Sequence, residues 1–182
     1  MADTPADNGH FAGLPTLIRD GRIQDEVWAT FEPAEDAPEG QLPADEPGWL
    51  VPLAVWQANE PALRQRSHPV GVLLGPDADP TVLARDRHID PAGLALIAIS
   101  FPVYTDGRGY SIAQRLRGEL GWSGELRAVG DVMIDTIYYQ ARCGFDSFAV
   151  KHGHDPQEAL EALRTFSVVY QHAYPKPESA PA

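Results

Sequence analysis

The chain has 182 residues, enough for one domain with a substantial core. Its net charge of −12 is uneven: residues 1–48 hold 11 acidic and 2 basic side chains, and residues 49–182 hold 15 and 12. The near-balanced body lacks the clustered Lys and Arg that nucleic acid requires, and the longest apolar run, near Leu94–Val103, is about half the roughly 20 residues of a membrane span.

In chain order, residues 1–13 are expected to be disordered. Met1-Ala-Asp-Thr-Pro5 lacks the basic and apolar regions of a signal peptide, so the expected location is cytoplasmic. Asp20-Gly21, between the short arms of Leu17–Ile23, signals a type I′ hairpin. Residues 32–48 form an acidic, Pro-rich loop with nothing to bury; solvation explains it, and docking to a basic partner is the sharper alternative. Trp49–Leu53 reads as a short strand whose proline suggests a sheet edge.

Strands and helices then alternate. Val70–Leu74 is a strand, and Asp79-Pro80 suits the start of a helix to about Arg87. Leu94–Phe101 is an apolar strand covered on both faces. Ser111-x-x-Gln114 is a capping box opening a helix that buries Ile112, Ala113, Leu116 and Leu120 and stops at Gly121. Glu125–Val129 is a strand, followed by a helix over Val132–Cys143 with Met133, Ile134, Ile137 and Ala141 inward. Ser147–Val150 is the last strand. Asp155-Pro156-x-Glu158 opens a helix burying Leu160, Leu163, Phe166 and Tyr170, and residues 175–182 are a tail. The expected fold is thus one α/β domain over 14–174: βα units with a four- or five-stranded, mostly parallel sheet, open or as a partial barrel, preceded by the hairpin and acidic loop.

In such sheets the loops after strand C-termini share one edge, where ligands bind. That rule gathers Asp106, Arg108, Asp131, Lys151 and His152. Thr105-Asp-Gly-Arg-Gly-Tyr-Ser111 could cradle a small anion with Gly107, Arg108, Gly109, Ser111 and helix amides, joined by Arg127 if it turns to that edge. The plainer reading is a capped helix after an Asp106-Gly107 turn. Asp106, Asp131 and Asp135 are the candidate acid/base carboxylates. Here the plainer reading makes Asp131 a helix N-cap and Asp135 a partner of the helix dipole.

Two carboxylates without a nearby His or Cys assign no metal. The Gly107-x-Gly109 spacing makes no dinucleotide site, because Pro102–Asp106 separate it from the strand, and the cofactor stays unassigned. Cys143, the single cysteine, ends a helix and reads as a packed thiol; His152-x-His154 reads as a turn. Trp28, Trp49 and Trp56 read as packing residues.

The segments Phe101-Pro…Thr-Asp-Gly-Arg-Gly-Tyr-Ser-Ile-Ala…Leu-Arg117, Gly124-Glu-Leu-Arg-Ala-Val-Gly-Asp131 and Arg142-Cys-Gly-Phe-Asp146…Phe148 resemble a bacterial family of unknown function. Its small members are encoded beside assimilatory sulfite reductase and are often labelled oxidoreductases of sulfite reduction. The family pattern has Gln where this chain has Thr136. The resemblance implies an accessory protein that binds the reductase or its electron donor. An enzyme of the same pathway is the other reading, holding a sulfur oxyanion at the loop edge with Asp106 or Asp131 as acid/base and Arg108 with Arg127 as clamp. A regulatory or structural α/β module outside sulfur metabolism is the alternative.

Overall fold

The computed structural model describes residues 14–33 and 40–164. They form β1 (Thr16–Arg19), β2 (Arg22–Asp25), β3 (Ala29–Thr30), β4 (Trp49–Pro52), α1 (Leu53–Leu63), β5 (Val70–Leu74), a 3-10 turn (Pro80–Leu83), β6 (Leu94–Phe101), α2 (Arg108–Gly118), β7 (Glu125–Gly130), α3 (Ile134–Arg142), β8 (Ser147–Val150) and α4 (Pro156–Arg164). No helix among these residues is long and apolar enough to cross a membrane. The expected disordered start, the tail, Phe166 and Tyr170 lie outside the described residues, as does part of the acidic loop.

The sheet is open and curled, with strand order β2-β1-β8-β7-β6-β5-β4-β3. From β3 to β8 the strands are parallel and lie in chain order. When every crossover steps the same way and is right-handed, all connecting helices fall on one face. The packing agrees. Trp56 and Leu63 of α1, Ile112 and Leu116 of α2, Ile137 of α3 and Ala159 of α4 share one core with Val51, Val72, Ile97, Ile99 and Phe148. Residues of alternate register turn to the helix-free face, where Leu50, Leu96 and Ala98 pack with Trp28, Leu73 and Val129.

Among the described residues the sheet has eight mixed strands, not four or five mostly parallel ones. The hairpin is part of it, because β1 pairs antiparallel with β8 from Thr16↔Val150 to Arg19↔Ser147. Nor is β4 an edge strand: β3 pairs outside it, as Ala29↔Trp49 and Thr30↔Leu50. Pro52 is tolerated because that pairing ends before it.

The turn at Asp20-Gly21 has φ of 53° and 65°, the left-handed pair that a type I′ hairpin demands. Asp155 accepts the Gln157 amide at 2.8 Å, capping α4 ahead of its first-turn proline. The helix expected over 79–87 is only the 3-10 turn, which ends where Ala84 turns extended at φ −99° and ψ 145°, and the left-handed Asp86 and Arg87, at φ of 50° and 62°, keep it from resuming. The capping box at Ser111 does not open α2, which begins three residues earlier at Arg108 and leaves Ser111 exposed within the helix.

Candidate functional site

The carboxyl ends of β5 to β8 form the edge toward which the sequence points. Gly130, ending β7, pairs with Phe101, ending β6, and the Asp131 amide donates to the Phe101 carbonyl at 2.7 Å. One carboxylate oxygen of Asp131 accepts the Tyr104 amide at 2.9 Å; the other lies 2.6 Å from Lys151 Nζ, just past β8. Asp131 thereby ties three loops together. The Lys151 ammonium first, then the Tyr104 amide, hold its carboxyl below the usual range.

Asp106 closes the mouth of α2. Its Oδ1 accepts the Arg108 amide at 3.1 Å and Arg108 Nε at 2.9 Å, and its Oδ2 accepts Arg108 Nη2 at 2.6 Å. Arg108 Nη1 bonds Asp77, in the loop after β5. The side-chain bonds from Arg108 hold the Asp106 carboxyl below its ordinary range, and in return the guanidinium pKa is raised. The helix N-terminus offered to an anion therefore already holds one, the chain's own Asp106 carboxylate.

Of the cradle residues, Gly107 precedes the helix and a Cβ there would meet open space. Gly109 is buried for packing: a Cβ would come 2.7 Å from the Phe101 ring. Ser111 lies a turn into the helix and does not join the mouth.

Arg127 is not at this edge. It pairs with Ala98, three residues short of the strand ends, on the helix-free face. Its Nε donates to Glu125 at 2.9 Å and to Ser147 Oγ at 3.2 Å, its Nη2 to Glu125 at 2.6 Å, and its Nη1 to Glu26. A guanidinium this saturated makes no clamp with Arg108. Asp131 does not cap α3, whose N-cap is Met133 without a side-chain bond, and Asp135 is an exposed first-turn residue.

Cys143 is buried, with Gln114 Nε2 at 3.8 Å from its sulfur, and burial pushes its thiol pKa up. Among the described residues no group of three or more His, Cys, Asp or Glu could hold a metal ion. Asp77, Glu26 and Glu125 were missed as partners. Asp77 follows β5, so the rule that gathered the other rim loops also places it.

Sequential parallel strands, helices on one face and an ion-paired rim define a singly wound α/β domain. No curated protein matches the chain. It belongs to a family described as a bacterial protein of unknown function (DUF934), whose model matches residues 71–180 and so takes in the rim from Asp77 to Lys151.

Proposed function

We propose that this chain is an accessory protein of assimilatory sulfite reduction that binds the reductase or its electron donor through the carboxyl-end rim of its sheet. The pathway is supported by the resemblance carried between Phe101 and Phe148. The mode of action is supported by one observation: the rim cations are neutralised by the chain's own carboxylates, Arg108 by Asp106 and Asp77, and Lys151 by Asp131. Such a rim is a surface of fixed shape rather than a set of donors waiting for a charge. A strain lacking the protein is expected to grow poorly on sulfate as sole sulfur source and to recover on sulfide. Normal growth on sulfate overturns the pathway and favours a regulatory or structural module elsewhere.

An enzyme binding a sulfur oxyanion is the second reading. It is favoured by the exposure of Asp77, whose side chain is 85% accessible and whose place on Arg108 an oxyanion could take. Calorimetry with sulfite and sulfate separates the two readings. Saturable binding that is lost in Arg108→Ala supports the enzyme, and no binding to either ion removes it.

A further inference from the structure

We propose that the loop Pro102–Thr105 is a preformed knob that seats in an apolar pocket on a basic surface of the partner protein. This deepens the docking reading above and rests on it. Five large apolar side chains stand well exposed among the described residues: Val27, Val82, Val103, Tyr104 and Tyr139. Scattered singly they would mean nothing, but Val103 and Tyr104 are consecutive, 51% and 53% exposed, with Pro102 and Thr105 exposed on either side.

The loop is held in shape from below. The Asp106 amide donates to the Val103 carbonyl at 3.0 Å, closing a turn around the pair. The Tyr104 amide is fixed by Asp131 at 2.9 Å, Asp131 by Lys151, and Asp106 by Arg108. A tip braced in this way loses little freedom on binding, and tyrosine is a preferred interface anchor. Charge selects the partner. The four rim connections, residues 75–79, 102–108, 131–135 and 151–155, carry six aspartates against Arg108 and Lys151, and Arg115 of α2 reaches one of them, Asp79, at 3.3 Å, which leaves the rim net acidic. An acidic collar around an apolar tip fits a Lys- and Arg-lined pocket and resists an acidic one.

The test is the affinity of the full chain for purified assimilatory sulfite reductase and, separately, its electron donor, measured by interferometry at low and high salt. The wild type is expected to bind one of them and to weaken as salt rises. Tyr104→Ala and Val103→Ser are expected to bind at least tenfold more weakly, with unchanged urea midpoints. Tyr139→Ala, an equally exposed tyrosine on α3, should bind as the wild type does. If the wild type binds and Tyr104→Ala binds equally well, the knob is overturned while the docking reading stands. Binding that strengthens with salt overturns the basic pocket. If the wild type binds neither protein, both the knob and the docking reading fall.

Discussion

Arg127 is 1% exposed, and its charge is met by two carboxylates, Glu125 on its own strand and Glu26 from a distant part of the chain. Glu26, 101 residues away, also accepts the Val27 and Trp28 amides at 2.9 and 3.0 Å, so the pair fastens the segment between β2 and β3 to β7. Glu125 takes a further bond from Ser147 Oγ at 2.6 Å and lies 3.2 Å from Arg19. Removing one member of a buried pair costs far more than the intact pair contributes, because the remaining charge loses its partner without regaining water. Arg127→Met is therefore expected to lose about 3–5 kcal/mol in urea unfolding. Glu26→Gln should lose less, since Arg127 keeps Glu125 and the amide oxygen can still accept hydrogen bonds. Equal stability of Arg127→Met and wild type would show that the network is dispensable. The sequence could not show where this arginine turns: a strand residue reads alike at a rim or against a carboxylate far along the chain.

Among the elements, α2 shows how a glycine pattern misleads. Gly107 and Gly109 flank Arg108 and look like parts of an anion loop, yet only Gly109 is required by geometry. It lets α2 approach β6 so closely that a methyl group would strike the Phe101 ring at 2.7 Å. Phe101 is itself wedged between Tyr110 and Phe145, at ring-centroid distances of 5.3 and 5.8 Å. Gly109→Ala is accordingly expected to destabilise by about 1–3 kcal/mol through overpacking. Gly107→Ala, which faces open space at an ordinary φ of −79°, should stay within about 0.5 kcal/mol of wild type. Thermal or urea unfolding of both variants decides the matter, and a reversed order would return Gly107 to the centre of the loop. What could be read at this scale was local. The apolar runs of β5, β6 and β8 and the Asp20-Gly21 turn announce themselves because flanking turn residues bound them. Helix α1 does not, since Pro61 and the non-helical Asn59 (φ −131°) interrupt its pattern. The start of α2 was misplaced because Ser111-x-x-Gln114 copies a cap while Asp106 receives the first amide. Sheet membership of the hairpin was hidden too, as the β1–β8 pairing joins residues far apart in the chain.

Across the molecule, the gathering of Asp106, Arg108, Asp131 and Lys151 could be foreseen, because loops after parallel strands must share an edge. Their mutual neutralisation could not, because pairing depends on side-chain reach that spacing does not encode. It does leave a signature in the response to acid. Among the described residues five carboxyls are held below their usual range: Asp106 chiefly by Arg108, Asp131 by Lys151, Glu60 by Arg64, Asp79 by the Thr81 hydroxyl and Asp45 by the Ser67 amide. A carboxyl whose folded pKa lies below its unfolded value binds fewer protons when folded. Its contribution is complete above the unfolded pKa, near about 4, and is lost as the pH falls through the folded value. The chain should thus hold its stability between neutrality and about pH 5 and lose it progressively below about pH 4. Asp131→Asn removes one of the five, so it should be less stable at pH 7 and decline less steeply in acid. Urea midpoints measured from pH 7 to about pH 2.5 for both proteins give the comparison. Parallel profiles would mean that Asp131 and Lys151 do not hold one another in solution, and the rim would lose the brace that joins β7 to β8 and to the exposed tyrosine loop.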